Sequence, residues 1–259
     1  MWVGGILGKK IAMISALGGQ GCTLSAAYVG NAMAESGRSV TMIDLCGFGG
    51  TLAYVMGAAE NAAMNLGDVI RGACACEDAL LECGFPALRV MPPWSFSEVS
   101  ISPYSADCIQ IIQTLSRDSD VICDLPPGVV PSIDAIRCFD MFAVCALADS
   151  LSLKYTAALC RVIKNLAADC GASCEVRLLL SRFTPEYMRS FGISDIDECI
   201  NTVGAKLLGI VPYDSAAARA ASDGKAPSAL CDAMRFSRDI AARICGEKVP
   251  LESKRPMFL

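Results

Sequence analysis

Short runs of consecutive apolar residues alternate along the chain with longer stretches in which apolar residues recur at helical spacing or alanine predominates. That alternation predicts β-α units feeding a mostly parallel sheet. Strands are expected at 11–15, 40–44, 88–91, 121–124, 141–146, 176–181 and 207–211. Several of these are apolar on successive positions, as strands covered on both faces should be. Helices are expected over 23–36, 106–117, 151–168, 193–203 and 228–245, the first ending at Gly37 and the last just before Gly246. The reading is an α/β fold: a doubly wound, mostly parallel sheet with helices on both faces. A Pro- and Ser-rich stretch at 91–103 reads as a loop inside the alternation, and no repeat or linker divides the chain. Residues 1–246 are therefore expected to form a single domain, with 247–259 a short C-terminal tail.

Composition narrows what such a fold can do. A domain of 259 residues buries roughly 70–75% of its unfolded surface, so it needs neither metal nor disulfide staples. The absence of histidine excludes imidazole catalysis and His-ligated metals. A net charge of -5 argues against nucleic acid as a partner, because phosphate binding needs many Lys and Arg. Fifteen cysteines, an odd number, come without a secretory signal pattern and without any C-x-x-C. The closest spacings are Cys74 with Cys76 and Cys170 with Cys174. Most of the thiols thus read as small buried hydrophobes in a reducing cytoplasm. The longest apolar stretches, such as 141–148, fall short of the roughly 20 residues that span a bilayer.

Candidate chemistry begins after the first strand, at Ser15-Ala16-Leu17-Gly18-Gly19-Gln20-Gly21-Cys22-Thr23-Leu24. A strand, a glycine-rich loop and a helix can surround phosphate oxygens with backbone N–H groups. Alone, this loop is equally a tight β-α turn. It lacks the first glycine and the lysine of G-x-x-x-x-G-K-[ST], with Ala16 and Cys22 in those places. Two further segments shift the balance. The second apolar strand ends in Asp44, and another ends in Asp124, which opens the D-x-P-x-G of Asp124-Leu125-Pro126-Pro127-Gly128. Acids at the C-terminal ends of neighbouring strands are placed to hold Mg²⁺ beside such a loop, directly or through water.

These segments, together with Gly47-Phe48-Gly49-Gly50-Thr51-Leu52, Leu178-Leu179-Leu180-Ser181-Arg182-Phe183 and Leu208-Gly209-Ile210-Val211-Pro212-Tyr213-Asp214, resemble the MinD/ParA family of deviant Walker ATPases, most closely its MinD branch. The resemblance implies a P-loop domain that binds Mg-ATP, forms a homodimer around it, and cycles on a membrane or DNA surface. Gly18, Gly19, Gln20, Gly21, Cys22, Thr23 and Leu24 fall on the phosphate loop. Thr23, Asp44 and Asp124 fall on the magnesium region. Arg182, Pro212 and Asp214 fall near the adenine end, although such residues are also ordinary loop chemistry.

The departures all fall on the chemistry. The family loop reads K-G-G-x-G-K-T-T, and Leu17 and Cys22 stand at its two lysines. Cys46 stands where the family keeps a second acid near the attacking water. The expectation is a degenerate ATPase, with ATP/ADP and Mg²⁺ bound weakly or not at all, acting through a protein partner such as a division or positioning regulator. The competing expectation is a working Mg-ATPase in which Lys9, Lys10 or Arg182 substitutes for the missing lysine. A third reading takes Cys22 as a redox sensor or nucleophile, since a thiol at a helix N-terminus should have a lowered pKa. With no histidine to serve as base, drift at an abandoned lysine site is favoured over it.

At the C-terminus, Pro250 and Pro256 interrupt any amphipathic anchor. Lys254, Arg255, Met257, Phe258 and Leu259 are at best a vestige, so membrane contact is expected to be weak at most. Trp94 and Phe96 could serve a partner or fold over the sheet edge. Asp134, Asp149 and Asp195 read as caps or solvated charges.

Overall fold

The computed structural model describes residues 7–47, 51–94 and 101–250. Its centre is β1 (Lys10–Ser15), which pairs in parallel with β5 (Asp120–Asp124) on one side and β6 (Met141–Ala146) on the other. Outward from β5 lie β2 (Val40–Asp44), β4 (Phe85–Met91) and β3 (Leu81–Cys83). Outward from β6 lie β7 (Glu175–Phe183) and β8 (Lys206–Pro212). Pairing is parallel throughout except for β3, a short edge strand antiparallel to β4.

Helices cover both faces. α1 (Cys22–Glu35) and α10 (Asp232–Ile244) pack together on one face, flanked by α2 (Thr51–Val55) and α9 (Ser215–Ser222). α4 (Ala106–Leu115), α5 (Ile133–Cys138), α6 (Ser150–Cys170) and α8 (Ile196–Val203) cover the other, joined by α7 (Pro185–Ser190) and by α3 (Leu66–Ile70) near the β4 edge. Alternate β1 side chains enter different cores: Ile11 and Met13 face α1, while Ala12 and Ile14 face the α4–α6 side. All four are fully buried, which accounts for the unbroken apolar runs. α1 is apolar on nearly every side because it lies between the sheet and α10.

The fold class and the expected strands stand as read, with β4, β7 and β8 each somewhat longer. Two helices start later than their apolar pattern predicts. α8 begins at Ile196, where the Asp195 carboxylate accepts from the Glu198 N–H, and α10 begins at Asp232 behind a Cys231 cap. Asp149 likewise caps α6, and Asp134 lies in the first turn of α5. All fifteen cysteines are unpaired. Among the described residues no helix is long and apolar enough to cross a membrane. Phe96 and the proposed anchor vestige at 254–259 lie outside the described residues. Before them, the Arg243 guanidinium donates to the carbonyls of Leu208, Val249 and Pro250, tying the chain after α10 to β8.

Trp94 folds inward, buried at 7% exposure, against Gly47 just beyond β2. Gly47 has φ +73°, and a Cβ there would come within 2.5 Å of the Trp94 ring. Gly47→Ala is therefore expected to destabilise the chain by roughly 1–3 kcal/mol through overpacking and a left-handed non-glycine backbone. Urea unfolding of the variant against the parent measures this, and an unchanged midpoint would contradict the packing described.

Candidate functional site

Strand order reverses at β1: the chain passes from β1 through α1 to β2 on one side, and later from β5 through α5 to β6 on the other. At such a switch point, loops leaving the C-terminal strand ends part and leave a crevice. Here the crevice is a cleft of about 610 Å³, the size of a small-molecule site. The loop after β1, Thr23 and Leu24 of α1, Cys46, Asp124, Arg182, Pro212 and Asp214 all line it. Residues from five segments of the sequence thus converge on one cavity. Asp44 sits directly behind, 1% exposed, and half-buried Leu17 lies off the cleft wall.

Gln20 anchors the loop. Its side chain is buried, and its Oε1 accepts from the Leu147 N–H at 2.9 Å and from the Ser152 hydroxyl. Its own carbonyl accepts from the Ser181 hydroxyl at the end of β7. The loop is thereby tied to β6, α6 and β7 at a position that motif reading treats as variable. Gly19 and Gly21 are left-handed, with φ +76° and +71°. A Cβ at Gly21 would press on the Arg182 side chain at 3.3 Å, whereas one at Gly19 would meet nothing. The N–H groups of Gly19, Gly21, Cys22 and Thr23 have no acceptor among the described residues. Such an open row of donors at a helix N-terminus suits an anion.

On the acid side, the Thr23 hydroxyl donates to Asp124 Oδ2 at 2.6 Å. Asp124 Oδ1 is buried without a hydrogen-bond partner. Asp44 accepts from the Cys46 N–H at 2.9 Å and from the Leu52 N–H at 3.0 Å, so β2 and α2 fix its carboxylate. Asp44, Cys46 and Asp124 offer donor atoms within 4.8 Å of one another. Burial, and then the Asp44 carboxylate, push the Asp124 carboxyl from 3.8 up to about 7, against the opposing pull of the Thr23 hydroxyl. Burial raises Asp44 as well.

The remaining expected residues divide. Asp214 spends its carboxylate on structure, accepting from Ala216, Ala217 and Asp232 N–H groups at 3.0 Å each. Pro212 is buried in the cleft wall beside the half-exposed Tyr213. Arg182 is exposed, has φ +48°, and its guanidinium donates to the Gly19 carbonyl at 3.3 Å. It is the one non-glycine residue with positive φ among those described, and the one cation lining the cleft. Strained backbone of this kind persists where surrounding structure over-determines it. Lys9 and Lys10 cannot substitute for a loop lysine. They lie at the opposite end of β1, with Lys9 on the Ile244 carbonyl and Lys10 in an ion pair with Asp140 at 3.0 Å.

Cys22 also corrects its expectation. The helix N-terminus does not lower its pKa: contact with the Cys145 thiol, and then burial, hold the Cys22 thiol well above its ordinary value. A thiol so placed remains protonated and a poor nucleophile, which removes the redox-sensor reading. Sequence reasoning placed Gln20 on the loop but not its anchoring role, and it missed Cys145 and the outer wall, where the Tyr54 hydroxyl of α2 donates to the Ser222 carbonyl of α9 at 2.8 Å.

The raised Asp124 carboxyl has a consequence for stability. Below pH 3.8 the group is protonated in both folded and unfolded chains. Between 3.8 and about 7 the unfolded chain has released a proton that the fold retains, so stability falls as pH rises, and above 7 the loss is complete. Asp124→Asn removes this loss. The variant should exceed the parent at pH 8 by on the order of 1–4 kcal/mol and show a flatter profile between pH 4 and 7. Thermal unfolding across that range measures both, and equal stabilities at pH 8 would refute the account.

The same fold recurs in known proteins. The septum site-determining protein MinD of Bacillus subtilis is 29% identical over 252 residues, covering 95% of this chain and 92% of that protein. A MinC:MinD cell division protein complex from Aquifex aeolicus contains a chain that superposes with a TM-score of 0.78 at 21% identity, covering 94% of this chain and 98% of that one. MinD of Pyrococcus horikoshii, complexed with Mg-ADP, superposes with a TM-score of 0.77 at 20% identity, covering 92% and 96%. The model of the CobQ/CobB/MinD/ParA nucleotide binding domain (CbiA) matches residues 11–227, and the chain belongs to that family, as a member of MinD/ParA type with the P-loop NTPase fold.

Proposed function

We propose that this chain is a degenerate MinD/ParA-type ATPase. It takes ATP or ADP with Mg²⁺ weakly, hydrolyses ATP slowly or not at all, and acts through nucleotide-dependent or scaffolding contacts with a protein partner in cell division or spatial positioning. The observation that carries this reading is the charge of the cleft. Two buried carboxylates face a phosphate-sized loop whose wall holds a single, exposed cation, Arg182.

The residues present fit a magnesium nucleotide in part. Open N–H groups at Gly19, Gly21, Cys22 and Thr23 would donate to phosphate oxygens. Asp124, with its unpartnered Oδ1, and the Thr23 hydroxyl form an oxygen-only donor set suited to Mg²⁺, with Asp44 behind. Arg182, Pro212 and Asp214 would border the base end of the cleft. Bound Mg²⁺ would neutralise charge on the phosphates. What this chain does not bring is lysine: Leu17 and Cys22 leave the loop to backbone donors alone. Each missing charge-assisted contact removes about 1.5–3 kcal/mol of binding. An absent catalytic cation removes as much as about 10³–10⁵ in phosphoryl transfer. The MinC:MinD complex of the Aquifex aeolicus relative supports a protein partner for this chain as well.

A second reading, a working ATPase, draws on Arg182, which is positioned against the Gly19 carbonyl at the cleft wall. Calorimetric titration with Mg-ATP and Mg-ADP separates the two. Under the degenerate reading the parent binds weakly and shows negligible turnover, and Leu17→Lys with Cys22→Lys together tighten binding by roughly 10²- to 10⁴-fold. Rapid hydrolysis by the parent, abolished by Asp124→Ala and by Arg182→Ala, would establish the second reading and sink the first.

A further inference from the structure

We propose that Asp44, Cys46 and Asp124 form a site for a thiophilic divalent cation of the zinc class, taken up without nucleotide. This goes beyond the nucleotide reading and does not depend on it. Two features of the structure point to it. One carboxylate oxygen from each aspartate and the Cys46 Sγ all lie within 4.8 Å of one another. Asp124 Oδ1 is buried and unpartnered beside them, a polar atom that a folded protein normally satisfies.

The donor set selects the cation. One thiolate with two carboxylates matches the sulfur and oxygen ligands that zinc accepts, at bonds of about 2.0–2.3 Å. Tetrahedral ligand atoms at such bonds stand roughly 3.3–3.8 Å apart, so small side-chain shifts close the observed spacing. Mg²⁺ instead demands oxygen in octahedral array and discriminates against sulfur. Asp44 and Cys46 belong to one turn, since the Cys46 N–H donates to Asp44 Oδ1 at 2.9 Å, which fixes their relative placement. The Cys46 thiol makes a long contact of 3.7 Å to the Asp124 carbonyl and also interacts with the Asp124 carboxyl, and on ligation its proton passes to solvent. Asp124 and Cys46 line the cleft, so the fourth position opens onto it and admits water. The one cation among the cleft-lining residues, Arg182, is exposed and donates to the Gly19 carbonyl, and a divalent ion would neutralise the two carboxylates. The site shares both acids with the proposed Mg²⁺ position, and occupation by one cation excludes the other.

Cobalt(II) serves as the optical probe. The chelator-treated full chain, in a non-thiol reductant and without nucleotide, should take up one equivalent of Co²⁺ with a near-ultraviolet sulfur-to-cobalt charge-transfer band. Zn²⁺ should displace it, and Mg²⁺ in thousandfold excess should not. Cys46→Ser should erase the band and weaken Co²⁺ binding at least tenfold, Asp124→Asn should weaken binding similarly, and the double change Cys74→Ser, Cys76→Ser should leave both signals intact. A band that survives Cys46→Ser, a parent with no band, or displacement by Mg²⁺ at comparable concentration would each overturn the site. Because every arm omits ATP, such a failure leaves the nucleotide reading untouched.

Discussion

Burying β1 on both faces and along both edges is the constraint on which the rest of this molecule depends. With β5 on one side and β6 on the other, the strand has nowhere to lead but out of the C-terminal edge of the sheet. The chain then turns sharply into α1, and that turn sits where the crossovers part. Everything candidate in the cleft follows from this placement. Asp44 and Asp124 end β2 and β5, and on the far side Arg182 lies one residue before the end of β7 and Pro212 ends β8. The loop itself is held by Gln20, whose buried amide oxygen joins β6 to α6, so the backbone donors keep their shape without help from a lysine.

The cost of this arrangement is electrostatic. Two carboxylates share a buried region at the end of β5 and β2, and the Thr23 hydroxyl is the strongest donor that Asp124 receives. Burial disfavours the charged form first, repulsion from the Asp44 carboxylate adds to it, and together they push the Asp124 carboxyl up to about 7. A P-loop lysine in this neighbourhood would lower that carboxyl by offering an opposite charge. A lysine at position 22 would therefore change both the site's attraction for phosphate and the ionisation of the acid beside it.

Much of this was legible in the residues. Strands buried on both faces leave long apolar runs, and β1, β2, β5 and β6 were readable for that reason. The glycine loop and the two strand-end aspartates were readable because strand, loop and acid recur in a fixed order. The short helices α2, α3, α5 and α7 were not, because five or six residues are too few to show a period. β3 is three residues at an edge, with one face in water, and leaves no run at all. Gln20 falls within the loop motif, but its anchoring role is hidden from the sequence because its partners at 147, 152 and 181 lie more than 120 residues away in the chain.

Cys22 and Cys46 show why position along a motif does not settle chemistry. Both stand where the family resemblance places charge, and both are pushed toward the protonated thiol, but by different surroundings. Cys22 turns inward to Cys145 beneath α1, where contact with a second thiol and burial leave it only a packing role. Cys46 lies between two carboxylates at the cleft wall, where burial and their negative charge raise the thiol together. Only a cation can reverse that second effect, because it replaces the thiol proton and screens the acids at once. An excess of negative groups, with no lysine among the cleft-lining residues, is what favours a metal there.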